Sequence, residues 1–299
     1  MSTGDDDNMI PIRLYGLRRG TVTTLTVLCG LFALFTLIPL LWIVINSTKD
    51  QPSIFQSFGF WFAKPFQFFH NLYELSQDVD GEGTYLQWMG NTALYAALGG
   101  GGATVLSALA GYGFARFRFR GNKILFLVVI SALLVPVTAI TLPLYLVYAK
   151  AGLINSIWGL ILPSLVTPIG VYLMRVYIAG SVPPELIDAA RMDGAGEVRI
   201  FLRLAVPLMV PGLLTVFLLS VVAVWNNYFL PLMIFSKSNL YPLTVGVGLW
   251  ASRVQGSGST QLVPLVVIGG LVTIIPMVAL FLLVQRYWRG GLLLGSIAN

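Results

Sequence analysis

Apolar residues along this chain fall in long runs separated by short polar stretches, the pattern of a protein that crosses a bilayer several times. Val22 to Ile45 is apolar without interruption. A helix of about 24 residues at ~1.5 Å each reaches ~36 Å, enough for a bilayer core. A signal peptide is the alternative, but its apolar region is usually only about 7–15 residues, so the run reads as a retained first span. Five further runs follow, at 88–114, 124–148, 156–179, 208–235 and 262–284. In the first of these, Gly99, Ala103, Ser107 and Gly111 recur every four positions and share one helix face, which would let another backbone approach closely. The later runs carry prolines, among them Pro136, Pro163, Pro168, Pro231 and Pro276, which membrane helices tolerate better than soluble ones. The pattern divides the chain into a polar tail (1–20), a first transmembrane helix (21–46), an external loop (47–87), a core of five more helices (88–288) and a short tail (289–299). The fold class expected is an all-α integral membrane protein, a six-helix polytopic bundle.

One polar island stands out within the core. Residues 183–207 carry Glu185, Asp188, Arg191, Asp193, Glu197, Arg199 and Arg203. Pro183-Pro184 can open a helix, Leu186, Ala189, Ala190 and Asp193 follow at helical spacing, and Gly194 and Gly196 interrupt it. The segment reads as a helix-break-helix between two spans. Taken alone, a solvated amphipathic connector explains it as well as a functional surface does.

Charge orients the bundle. Only 10% of the 299 residues are charged against 57% hydrophobic, far below the roughly 25% charged of soluble domains. With the N-terminus inside, cytoplasmic segments hold 13 of the 18 Lys and Arg residues and outer segments 5, as the positive-inside rule requires. That places 183–207 and both tails in the cytoplasm. No Asp, Glu, Lys or His lies inside a span, which argues against an ion-driven carrier or proton pump. None of the five lysines follows a glycine, so no phosphate-binding loop is present. No His, Cys and carboxylate cluster has metal-site or catalytic spacing, which disfavours a membrane-bound enzyme. Cys29, the single cysteine, reads as a buried structural thiol, and His70 as a loop residue. The external loop is dense in aromatics, from Phe55 to Phe69, suited to an interfacial belt, to short surface helices or to docking of an external partner.

The spacing Asp188-Ala189-Ala190, Gly194, Leu204 and Pro207 resembles the EAA loop of permease subunits of binding-protein-dependent ABC importers. That signature reads Glu-Ala-Ala, three residues, Gly, nine residues, Ile, one residue, Leu-Pro; Asp188, Leu204 and Val206 replace Glu, Ile and Leu. Together with six spans and the run Gln285 to Leu292, the chain is similar to permeases of carbohydrate ABC importers over roughly residues 85–295, the maltose-transporter group of the type I kind. The resemblance implies no cofactor in this chain, ATP being bound by a dimer of separate ATPase subunits. It also implies a second, similar permease, an extracytoplasmic sugar-binding protein and a place in the cytoplasmic membrane; no nucleic acid is involved. It assigns the ATPase coupling to Glu185, Asp188, Ala189, Ala190, Asp193, Gly194 and Pro207: Asp188 would pair with a basic residue of the ATPase, Ala189 and Ala190 would permit close packing, and Gly194 would make the turn.

The candidate sugar path is Trp225-Asn226-Asn227-Tyr228 in the fifth span, where amides suit hydroxyls and a ring face suits a sugar ring. Hydrogen bonding between neighbouring helices is the other reading of those asparagines. Asn91, Tyr145, Tyr148 and Trp158 are weaker candidates. A stand-alone secondary transporter or channel is the alternative function; it would need an intramembrane ion site.

Overall fold

The computed structural model describes residues 19–77 and 84–295, with side chains described through 287. Most of the 1–20 tail, the acidic residues Asp78, Asp80 and Glu82, and 296–299 lie outside the described residues. Among the described residues, fourteen α-helices follow in chain order: α1 (Arg19–Asn46), α2 (Gln51–Gln56), α3 (Phe68–Leu75), α4 (Tyr85–Arg116), α5 (Asn122–Ser131), α6 (Val137–Ala151), α7 (Ile157–Ser164), α8 (Pro168–Ser181), α9 (Pro184–Met192), α10 (Glu197–Ile200), α11 (Val206–Trp225), α12 (Phe229–Ile234), α13 (Leu243–Ser257) and α14 (Val263–Gly295). Among the described residues, five helical stretches are long and apolar enough to cross a membrane: Gly20–Asn46, Tyr85–Arg116, Ile157–Ser181, Glu197–Trp225 and Thr260–Tyr287. A sixth crossing exists only if the broken pair α5–α6 is one span. The all-α polytopic bundle is therefore observed.

α4 is the axis of the bundle, packing most extensively on α11 and α8. The stripe of small residues makes that possible. A Cβ on Gly100 would sit 2.9 Å from the Val221 backbone, and one on Gly111 would sit 2.9 Å from the Arg175 nitrogen. Ala103 and Ser107 are buried on the same face. Near the start of α4, larger side chains take over. The Tyr85 hydroxyl donates to the Gly269 carbonyl of α14 at 2.8 Å, the Trp88 indole donates to Ser238 O, and the Leu243 amide that opens α13 donates to the Thr92 hydroxyl at 2.7 Å. Gly246 packs directly against the Trp88 ring.

The apolar core is split accordingly. One cluster gathers Trp88, Tyr95, Leu160, Trp225, Ile234 and Trp250 near the start of α4. The other gathers Tyr112, Met174, Ile178, Ile187, Ile200 and Met209 at its far end, where α9 and α10 lie. Arg116 closes this second end. Its guanidinium donates to Ile178 O at 2.6 Å and to Val182 O, two carbonyls at the C-terminus of α8, where the helix dipole favours a cation. The chain then enters Pro183 and α9.

Several expectations change. The third span is not one helix: Val135, extended as residues before proline tend to be, and Pro136 break it, and the two halves meet at 101°. The fourth is likewise two helices, because Pro168 lacks a donor and Thr167 caps α8 instead, its hydroxyl accepting from Gly170 N. The fifth ends at Trp225, and Asn226 to Tyr228 form a break before α12. The loop 236–261 holds the helix α13, whose buried Leu243, Val245, Gly246 and Trp250 pack on α4. The segment 47–87, expected to be an external loop, holds α2 and α3, and His70 is on α3, paired with Glu74 at 3.2 Å, rather than in a loop. Cys29 is exposed, not buried, because α1 is packed chiefly against α14 and leaves most of its surface for lipid. Lys49, three residues beyond α1, is fully buried.

The close approach of α4 to α11 can be tested by paired substitutions. Gly100→Ala is expected to lower the thermal midpoint of the purified protein in detergent, at a cost of about 1–3 kcal/mol from overpacking. Gly101→Ala, with no atom within 4 Å of the added carbon, is expected to leave the midpoint unchanged or raise it slightly through helix propensity. Equal midpoints for the two variants would remove the packing argument.

Candidate functional site

Two separate features make up the candidate site: the polar segment 183–207 at one end of the bundle, and a cleft lined by α6, α8 and α11. In the polar segment, Pro183 is extended and Pro184 occupies the first turn of α9, with Glu185 beside it where the helix dipole favours an acid. Ile187 is buried and Ala190 half-buried, so this face of α9 packs on the bundle. The opposite face presents Glu185, Leu186, Asp188, Ala189 and Met192, all exposed, Met192 at 89%. Ala189 and Ala190 thus part company: the first faces outward, the second inward.

Gly194 ends the helix. Its φ is +79°, the left-handed region. Ala195 N donates to Ala190 O and Gly194 N donates to Arg191 O, each at 3.0 Å, with Asp193 as the C-cap. This is a Schellman motif, in which glycine is favoured at the left-handed position because it has no Cβ. Beyond it, α10 runs into a π-helical turn at Phe201–Ala205 and then α11. The wide turn has a local cause. Pro207 cannot donate to Arg203 O and its ring would crowd that carbonyl, so Val206 N reaches back to Phe201 O. Pro207 itself is exposed in the first turn of α11.

Arg191 ties the segment together. Its Nε donates to Glu197 at 2.7 Å and its Nη1 to Asp188 at 3.1 Å. The hydrogen bond to Glu197, then the neighbouring carboxylate charges, raise the Arg191 pKa further. Asp188 therefore has a partner inside its own helix. Its side chain is still 71% exposed, and exposed ion pairs hold little stability, so the carboxylate is free to accept a second cation. Val198 and Leu202, in α10 and the turn after it, are also exposed apolar side chains of this segment.

The cleft has a volume of about 860 Å³. Its walls come from α6, the α7–α8 break, α11 and the break after it. Most of the lining is aliphatic, with Thr141, Ser164, Thr167 and Ser220 as polar points. Asn226, Asn227 and Tyr228 line it; Trp225 does not. Trp225 turns into the core, where its indole N–H is buried without a hydrogen-bond partner. Asn226 donates from its amide nitrogen to Val222 O at 2.9 Å, capping α11. Asn227 is held by its backbone, its carbonyl accepting from Thr244 Oγ1 at 2.7 Å, which leaves the amide side chain at the cleft wall. Tyr228 packs on Gly248 of α13. Of the weaker candidates, Asn91 is structural, donating to Asn239 O and Tyr241 O. Tyr145 and Tyr148 belong to the core and Trp158 is exposed. The cleft residues on the α7–α8 break were not singled out from sequence; the Thr-Pro pair at 167–168 was the available signal.

Comparison with known proteins joins the loop and the cleft to one family. The chain is 34% identical over 215 residues to the arabinooligosaccharides transport system permease protein AraQ of Halalkalibacterium halodurans, covering 72% of this chain and 75% of that one. It is 31% identical to the melibiose/raffinose/stachyose import permease protein MelC of Bacillus subtilis, covering 77% and 80%, and 29% identical to the lactose transport system permease protein LacG of Rhizobium radiobacter, covering 90% and 93%. The fold is shared with a chain from the crystal structure of a bacterial ABC transporter involved in the import of the acidic polysaccharide alginate, at a TM-score of 0.75 and 23% identity, over 91% of this chain and 99% of that one. The model of the binding-protein-dependent transport system inner membrane component family matches residues 103–289, and the chain belongs to that family.

Proposed function

We propose that this chain is the permease subunit of an ATP-driven importer that carries a neutral sugar or oligosaccharide through the cytoplasmic membrane. The observation that carries the reading is the outward face of α9. A short helix is held rigidly at the end of the bundle by Ile187, the Schellman turn and the Arg116 clamp, yet it presents Leu186, Asp188, Ala189 and Met192 to the outside. Such a face suits insertion into a cleft of another subunit. The sugar specificities in the relatives' names support the substrate class. The cleft adds aliphatic walls with few polar points and no Lys, Arg, Asp or Glu, which favours an uncharged ligand. The stand-alone carrier is not favoured.

In this reading both chain ends and α9 are cytoplasmic, following the basic residues, and a dimer of ATPase subunits binds ATP outside this chain. A second permease completes the pathway and an extracytoplasmic binding protein delivers the sugar. Asp188 accepts from a basic residue of the ATPase, Ala189 gives it close contact, and Glu185 and Asp193 flank the contact. Closure of the ATPases displaces α9; because α9 is fastened to α8 and α11, both helices move and the cleft changes its opening. Asn227 and Tyr228 meet the sugar, the first through hydroxyl hydrogen bonds and the second through its ring.

Four variants test this in reconstituted vesicles with all subunits present. Gly194→Val forces a branched residue into the left-handed region at about 1–2 kcal/mol and is expected to reduce transport and binding-protein-stimulated ATP hydrolysis roughly tenfold, while Gly194→Asn has a milder effect because asparagine tolerates that region. Asp188→Ala is expected to lower both activities together. Wild-type rates for Asp188→Ala and Gly194→Val would remove the coupling role. Asn227→Ala is expected to raise the sugar concentration for half-maximal uptake about tenfold, as loss of about 1–1.5 kcal/mol of hydrogen bonding would, with ATP hydrolysis in the absence of sugar unchanged. An unchanged half-maximal concentration would remove Asn227 from the path.

A further inference from the structure

The segment 51–69 is an aromatic shelf whose position is set by two buried polar side chains at the end of α1. Asn46 and Lys49 are both fully buried. The Asn46 amide donates to Trp42 O and to Gly59 O, each at 2.8 Å, and Lys49 Nζ donates to Phe58 O at 2.9 Å. Burial lowers the pKa of the Lys49 amine. Gln67 N donates to Thr48 O at 2.7 Å, and the Asn71 amide donates to both Ser47 O and Lys49 O. The shelf therefore folds back on the last turn of α1 rather than rising from it. A Cβ on Gly59 would lie 3.2 Å from the Trp42 indole nitrogen, and Trp42 lies inside the apolar run that ends at Ile45. Gly59 thus lies beside the last turn of α1, between the Trp42 indole and the Asn46 amide.

At that depth carbonyls need protein donors, because lipid supplies none. Asn46 and Lys49 supply them to Gly59 and Phe58. The side chains that remain outward are aromatic: Phe58 is 73% exposed, Trp61 70%, with Phe62 and Phe66 also exposed. Trp61 and Phe62 meet edge to face with centroids 6.3 Å apart. Lys64 is the single charged residue in 51–69, and a long lysine can reach from an apolar ledge to a phosphate. Depth, carbonyl satisfaction, aromatic exposure and the shortage of charge point to one occupant.

We propose that residues 58–66 form a lipid-contacting shelf that sits in the phospholipid interface beside the end of α1, extending the lipid surface of that helix, rather than a water-facing site for a soluble partner. This goes beyond the importer reading and does not depend on it.

Spin labelling of the full chain tests the proposal. In a Cys29→Ser background, Trp61→Cys, Phe62→Cys and Phe66→Cys would each carry a nitroxide, in nanodiscs of phosphatidylcholine and phosphatidylglycerol; all three sites are exposed, so the fold tolerates the label. Met192→Cys on α9 serves as a water-facing reference. The expected result is collision with oxygen exceeding collision with a water-soluble nickel chelate at 61, 62 and 66, and the reverse at 192. Chelate collision at all three shelf sites equal to that at 192 would overturn the proposal and leave the aromatics as a surface for a soluble protein. A Lys49→Met variant labelled at 61 adds a second reading: the oxygen preference is expected to fall as the shelf loses its hold on α1, and an unchanged preference would remove Lys49 from its placement.

Discussion

The bundle depends on how closely α4 can approach α8 and α11. In lipid there is no hydrophobic drive between helices, so association rests on packing and on interhelical hydrogen bonds. α4 meets that need with glycine where a backbone must come near and with tyrosine, tryptophan and threonine where a polar tip can reach a neighbour. Gly100 and Gly111 admit the Val221 and Arg175 backbones; Tyr85 and Thr92 hold α14 and α13. Every other placement follows. α8 is held at its C-terminus by Arg116, α9 hangs from α8, and the cleft lies where α7, α8 and α11 diverge around proline and asparagine breaks.

The breaks and the packing answer different requirements. Where helices must touch, α4 runs 32 residues without interruption. Where the cleft opens, regular helix stops: at Val135–Pro136, at Thr167–Pro168 and at Asn226–Tyr228. Irregular backbone at membrane depth is sustainable only when its polar groups find partners or line a cavity. Here Thr167 and Asn226 cap the broken ends and Thr244 takes the Asn227 carbonyl.

Much of this was legible in the residues. The four-residue repeat from Gly99 to Gly111 marked the packing face of α4, and the Pro-Pro start and Gly194 marked the bounds of α9. Local chemistry carries such signals over a few residues. The bend at Pro136 was not legible, since proline in a membrane helix is often accommodated and the neighbours of α6 decide the outcome. α13 was missed because its apolar face becomes apparent only where Gly246 and Trp250 meet Trp88, far earlier in the chain. In the sequence Arg116 is one of four basic residues within 116–123; its distinction is that the α8 carbonyls lie across the bundle from it. Cys29 misled because an apolar residue in a lipid-facing helix is exposed to lipid, not enclosed by protein.

The helix that begins at Glu197 runs on to Trp225 through the π turn, 29 residues in one span. At ~1.5 Å per residue it is a rod of roughly 43 Å, with Arg191's ion-pair partner Glu197 at one end and the asparagine break at the other. A rod cannot absorb a displacement along its length. A shift of one or two ångströms at the α10 end must reappear at Asn226, or tilt the shaft about its glycine-lined contact with α4, which then serves as a fulcrum. In the importer reading proposed above, this single element is the route by which force would cross the membrane, with the π turn at Phe201–Ala205 as its one irregular joint.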